Sequence, residues 1–224
     1  MPRFVQERAP LPDLYQGDLT LRRTLDRLLG DVGHKAAQPL LERLATDAAG
    51  PLAAAARDAE RHPPALEQYD GWGARVDRIH TSTGWETLRK AAATHGLVAL
   101  PYEPDARATW GSGARLVQHA MVHLYAPSSA TFSCPVAMSD GAAVVLAAPG
   151  VDPALRDHLL PRLLARDPDV AWTSGQWMTE TEGGSDVGRS TTRAHRGDGG
   201  WRVTGEKWFC SSTTSEFALA LARP

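Results

Sequence analysis

Along the first two thirds of the chain, apolar residues recur at three- and four-residue spacing, the period of helices packed by one face. Leu21, Leu25, Leu28 and Leu29 form one stripe, with Asp18 as candidate N-cap and Gly30 as terminator. A second stripe over residues 33–47 turns Ala36, Leu40, Leu41 and Leu44 inward, and Pro39 needs an early-turn or kinked position there. Gly50-Pro51 breaks that helix, residues 52–61 read as an Ala-rich third, and His62-Pro63-Pro64 stops it. Residues 1–17, with three prolines, read as an extended arm, and 65–82 as a loop. Thr83-Gly84-Trp85-Glu86 has capping-box spacing and opens a helix over 85–95, closed by Gly96. Residues 97–107 connect to a helix over 108–125, and another spans 134–148. Asp152-Pro153 caps a last helix carrying Leu155, Leu159, Leu160, Leu163 and Leu164, which Pro161 should bend or end.

Near residue 168 the period changes. Residues 170–180, 190–196, 201–210 and 217–222 are β-branched or aromatic runs separated by Gly, Asp and Ser, and Gly197-Asp198-Gly199-Gly200 reads as a hairpin turn. The expected class is therefore α+β. A helical domain over 1–168 is followed, over 169–224, by the start of an antiparallel β-barrel-like or sandwich domain. So few strands need something else to cover their remaining face and edge, so this second domain reads as unfinished.

The chain has 224 residues, of which 42% are apolar, enough for a core. Its net charge of −2 argues against a surface that coats nucleic acid. Its 21 arginines are dispersed rather than gathered in a patch. No apolar run reaches the roughly 20 residues that cross a bilayer, and the start has no secretory pattern. Two cysteines rule out a disulfide scaffold and fit a reducing cytoplasm.

Two segments carry candidate chemistry. The first runs from Trp177 and Met178 through Thr179 and Glu180 to Gly183, Gly184 and Ser185. It reads as a strand entering a Gly-Gly turn, whose outward N–H groups suit a pyrophosphate or a carbonyl edge. The alternative is an ordinary polar turn. In the second, Gly205-Glu206-Lys207-Trp208-Phe209-Cys210-Ser211-Ser212, strand alternation puts Trp208 and Cys210 on one face and Phe209 and Ser211 on the other. An aromatic beside a hydroxyl could stack on a planar cofactor, or the segment is a plain half-buried strand. His119 and His123 have i, i+4 spacing but no third ligand, so no metal site is expected. Cys134 is expected as a small buried residue rather than a reactive thiol.

Taken together, Met178-Thr179-Glu180, Gly183-Gly184-Ser185-Asp186-Val187 and Gly205-Glu206-Lys207-Trp208-Phe209-Cys210-Ser211 resemble the flavin-binding signature of acyl-CoA dehydrogenases. They are closer to the AidB branch, the alkylation-response proteins. Three more stretches extend the resemblance over nearly the whole chain. They are residues 62–70 with Gly73, Arg75 and Asp77; Glu103-Pro104-Asp105-Ala106-Arg107; and Ser133-Cys134-Pro135-Val136-Ala137-Met138.

The resemblance implies FAD held by a middle β-domain between two helical domains. Thr179 would meet the pyrimidine side of the flavin, the backbone of 177–185 would line the ring and reach the pyrophosphate, and Ser185 would be shared between FAD and the acyl-CoA substrate. Phe209, Cys210 and Ser211 would lie on the other side of the flavin, with the Ser211 hydroxyl near N5. Family chemistry is α,β-dehydrogenation: a carboxylate takes the α-proton while the β-hydrogen leaves as hydride to the flavin. The family's base belongs to a C-terminal helical domain that is absent here, and Glu180, Glu182 and Glu206 do not match it. DNA binding in the AidB branch belongs to that same domain, and the family is homotetrameric. The chain is thus expected to be an N-terminal portion, inactive alone; the competing reading is a flavin-free interaction module or remnant.

Overall fold

The computed structural model describes residues 13–224, which divide into two compact units. One takes the described part of Met1–Pro63 together with Thr81–Leu88 and Pro101–Ala130; the other takes Pro64–His80, Arg89–Leu100 and Thr131–Pro224.

The first unit is helical. Helix α1, Leu19–Asp47, starts where Asp18 accepts the Leu21 N–H at 2.8 Å. Gly30, at φ 67 and ψ 170, splits it into two arms, as a residue free of the Cβ penalty allows. The second arm buries Ala37, Leu41, Leu44 and Ala45 in line with the polar His34, which an apolar pattern passes over, while Ala36 is exposed and Leu40 half-buried, a correction to the expected stripe. Pro39 is exposed, so water can serve the carbonyl that its missing N–H leaves free. Gly50-Pro51 does not break the chain direction: Ala48–Leu52 forms one wide π-helical turn before α2, Ala53–Arg61.

The expected arm extends up to residue 12 outside the described residues. Over 13–17 it is instead a turn, in which Asp13 accepts the Tyr15 and Gln16 N–H groups at 3.0 and 2.8 Å. Tyr15 is buried, its hydroxyl 2.6 Å from Nε2 of His34, whose Nδ1 meets Asp26.

Helix α3, Thr83–Thr94, is capped one residue earlier than expected: Ser82 Oγ accepts the Trp85 N–H, and Asp58 accepts that of Gly84. The helix expected over 108–125 is two. Helix α4, Pro104–Trp110, ends at Gly111, with φ 55, before α5, Ala114–Tyr125. Tyr125 is fully buried and donates to the Leu88 carbonyl at 3.1 Å, and burial pushes its phenol well above the usual range.

The second unit opens with a hairpin where a loop was expected. Strands β1, Ala65–Tyr69, and β2, Arg75–His80, pair antiparallel around a turn in which Asp70 accepts the N–H groups of Trp72 and Ala74. Charged residues interleave the apolar ones and both strands lie mostly exposed, so no buried face marks them in the sequence. Helix α6, Ser133–Leu146, buries Pro135, Val136, Met138, Ser139, Ala142 and Ala143, which leaves Cys134 on the exposed side rather than buried as expected. Helix α7, Pro153–Leu163, has the expected Asp152 cap, buries Leu159 and Leu163, leaves Leu155 exposed, and contains Pro161 in its last turn.

Strand β3, Ser174–Trp177, pairs in parallel with β6, Phe217–Ala220, and donates its Ser174 N–H to Ser139 of α6. Strands β4, Arg193–Gly197, and β5, Gly200–Thr204, form the expected hairpin, closed by Gly197 opposite Gly200. The class is mixed helix and strand, as expected. The described strands form three two-stranded sheets with no closed barrel, and β3–β6 is parallel because the whole of 178–216 intervenes as a crossover.

Candidate functional site

The candidate residues gather in the second unit around the end of β3. The strand stops at Trp177, and Glu180 and Gly183 then exchange N–H···O bonds of 3.1 and 3.0 Å, closing the expected tight turn. A Cβ on Gly184 would come within 2.9 Å of the Thr179 side chain, so the chain folds over Thr179 only with glycine there. Asp186 accepts the Gly188 N–H and fixes the exit.

The second segment is not a strand. Phe209 and Ser212 take φ values of 60 and 56, a region that side-chain-bearing residues rarely adopt. The expected alternation of Trp208 and Cys210 against Phe209 and Ser211 therefore fails. Backbone geometry, not strand pairing, turns Phe209 outward: it is 88% exposed, and Trp208 57%.

Three contacts stitch the two segments together. The Trp208 N–H donates to the Thr179 carbonyl at 2.9 Å, Nε1 of Trp177 donates to the Ser211 carbonyl at 3.0 Å, and Nζ of Lys207 lies 3.4 Å from the Met178 carbonyl. Beneath them is a carboxylate that the sequence set aside as a base without giving it another role. Glu180 is 3% exposed and holds Lys207 Nζ at 2.7 Å. It also accepts the N–H and hydroxyl of Thr191 at 2.5 and 2.8 Å, and those of Thr192 at 3.1 and 2.6 Å. The Lys207 ammonium, the Thr192 hydroxyl and the Thr191 N–H hold its carboxyl well below the usual carboxylate range. Glu180 is thus an ionised structural hub with both carboxylate oxygens engaged.

Above the hub the surface is polar and unpaired. Among the described residues, the hydroxyls of Thr179, Ser185 and Ser211 and the N–H groups of Gly184 and Ser185 have no hydrogen-bond partner. Gly183 is half-buried, Gly184 and Ser185 are exposed, and Met178 and Cys210 are half-buried. Hydroxyl and amide donors beside exposed aromatic rings can bind the polar edge of a flat ring system or a phosphate. Sequence reasoning singled out neither Thr191 nor Thr192 and gave Lys207, though it stands in the second segment, no role; their only signal was charge and hydroxyl content near the candidate loops.

Elsewhere, His123 reaches Asp18 at 3.0 Å and His119 is exposed. Among the described residues no group of three or more His, Cys, Asp and Glu could hold a metal ion, and no helix is long and apolar enough to cross a membrane.

Solved structures of similar fold cover almost the whole of this chain. Caenorhabditis elegans ACDH-11, solved in complex with C11-CoA, matches all of this chain and 38% of its own, with TM-score 0.91 and 36% identity. The apo form of Bd2924 matches 99% of this chain and 44% of its own, with TM-score 0.92 and 44% identity. The model of the adaptive response protein AidB N-terminal domain matches residues 8–170, and the chain belongs to that family. Curated relatives agree. Acyl-CoA dehydrogenase family member 11 of Caenorhabditis elegans is 36% identical over 98% of this chain. Putative acyl-CoA dehydrogenase AidB of Escherichia coli K12 is 37% identical over 75% of it. The chain spans about a third of the length of these curated relatives, 36% and 32% respectively.

Proposed function

We propose that these residues form one wall of an FAD site in an AidB-like acyl-CoA dehydrogenase, with acyl-CoA as the class of substrate. The observation that carries this reading is the row of unpaired donors, Thr179, Gly184, Ser185 and Ser211, held beside exposed Trp208 and Phe209. These groups fit the cofactor: donors for its polar edge and phosphates, aromatic faces for its ring. Bound there, FAD supplies a hydride acceptor for dehydrogenation of an acyl thioester. The Thr179 and Ser211 hydroxyls orient the ring, Gly183 and Gly184 let the backbone approach it, and Ser185 is shared with the acyl-CoA. Trp177, Met178 and Cys210 supply backbone and packing along the same wall. The relative solved with C11-CoA supports the substrate class.

The family model ends at residue 170, which supports a domain boundary near 168 with the flavin loops beyond it. The general base is not Glu180, which is ion-paired and buried. This reading assigns the base to none of these residues and so expects no acyl-CoA turnover from them, and, with one wall of the site alone, weak binding of FAD.

The test is hydrogen exchange of the 224-residue chain titrated with FAD. Protection confined to 177–185 and 207–211, lost in Thr179→Val/Ser211→Ala, is the expected result. No protection at any FAD concentration overturns the flavin reading and favours a flavin-free module. Flavin bleaching by an acyl-CoA on this chain overturns the assignment of the base elsewhere.

A further inference from the structure

The two candidate loops are separated by the β4–β5 hairpin and the turns around it, yet their backbones meet at the Trp208 N–H and the Thr179 carbonyl. Neither loop has regular structure of its own to hold this register. Past residue 177 the first loop is a turn, and the second contains Phe209 at φ 60 and Ser212 at φ 56. Such conformations persist only where surrounding contacts over-determine them.

Beneath the join a further set of contacts converges on one carboxylate. The Glu180 side chain is 2% exposed and that of Lys207 10%. Glu180 lies directly after Thr179, and Lys207 directly before Trp208 and two residues before Phe209. The 2.7 Å ion pair thus joins the loops at the roots of their hydroxyl-bearing stretches. The remaining Glu180 lone pairs are taken by Thr191 and Thr192, which lead into β4, so the pair is also anchored to the hairpin. Burial makes the arrangement rigid: neither charge can swing to water without leaving the other unpaired in a dry site.

We propose that the Glu180–Lys207 pair is a positioning device that sets the register of the Thr179 and Ser211 loops against each other, and so the shape of the flavin wall. The proposal rests on the flavin reading for what the wall receives, but not for the register itself. Glu180 and Lys207 act through the loops and touch no reacting atom.

The test compares Lys207→Met with Glu180→Gln/Lys207→Met in the 224-residue chain, read by melting temperature, site-resolved amide exchange and FAD titration. The single variant leaves Glu180 charged and unpaired, so it loses stability, and exchange at Trp208 rises at least about tenfold while helix α5 is unaffected. The double variant removes both charges and recovers most of the melting temperature. Its Trp208 exchange stays fast and its FAD affinity stays about tenfold below that of the parent chain, because no charged bond ties the loops. Recovery of exchange and FAD affinity together with stability in the double variant overturns the proposal and leaves the pair a packing element.

If these variants fail to fold, Thr192→Val removes one 2.6 Å bond to Glu180 and leaves the ion pair. Exchange at Trp208 then rises about two- to threefold; no change overturns the proposal. If the parent chain takes up no FAD, the flavin reading fails, and the exchange data alone decide the register.

Discussion

The second unit contains two clusters of opposite charge with similar composition and opposite surroundings. In the β1–β2 hairpin, Arg75 meets Asp77 at 2.6 Å, and Glu67 meets His80 at 2.7 Å and Arg78 at 3.9 Å, with the side chains of all five well exposed. Beneath the candidate wall, Glu180 meets Lys207 at 2.7 Å with both side chains nearly dry. The distances are alike, so distance says little about consequence. Water screens the hairpin pairs and can replace either partner, whereas the buried pair has no substitute for the partner it loses. An isolated two-stranded hairpin is marginal by itself, and exposed pairs add only a little to it.

The sharpest break in this comparison comes from deleting one cation in each place. Lys207→Met lowers the folding equilibrium constant of the chain at least about tenfold, measured by denaturant unfolding, since it strands a buried carboxylate. Arg75→Met in the hairpin leaves the unfolding midpoint nearly unchanged. Equal losses in the two variants would erase the distinction.

Acid separates the clusters next. The folded Glu180 carboxyl is held below its ordinary value of 4.5, so the stability it contributes is fully present above that value. It is lost as pH falls from 4.5 down through the depressed folded value. Thermal melts of the chain and of Glu180→Gln should therefore diverge in their pH slope only in the acid range. Parallel curves below pH 4.5 would contradict the hub.

Smaller in size is the strain at Phe209. Phe209→Gly removes the penalty of a side chain at φ 60, offset in part by greater freedom of the unfolded chain, and should stabilise by about 0.5–1 kcal/mol in chemical denaturation. The same change should weaken FAD binding by removing an exposed ring from the wall. The smallest effect is Glu67→Gln, at under about 0.5 kcal/mol, further reduced by salt. A larger, salt-insensitive loss would mean that the hairpin charges are desolvated.

Much of the helical part was legible in the sequence because its signals are local. Asp18, Asp152 and Gly96 act at helix ends where their side chains or backbone freedom are needed, and Gly197-Asp198-Gly199-Gly200 turns a hairpin as read. Errors arose where a local rule met a non-local outcome. The buried face of the second arm of α1 begins at His34, which pairs with Tyr15, and so runs through Ala37 rather than Ala36, and the strands of the β1–β2 hairpin have no apolar face to reveal them. Cys134 was misplaced because its helix turns the neighbouring Pro135 and Val136 inward. In the candidate site, the Gly-Gly turn that carries Thr179, Gly183, Gly184 and Ser185 was legible, but the strand assigned to Phe209 and its neighbours was wrong.

The sequence by itself determined the α+β order of elements, the helix caps, the Gly-Gly turn and the two segments that carry the candidate chemistry. Each of these depends on residues within a few positions of one another. Only the tertiary structure decided that Glu180 is a buried hub, that Lys207 is its partner, and that the two loops share a register. Those outcomes depend on which groups, 27 positions apart in the chain, are dried together at 2.7 Å, and no local pattern encodes that.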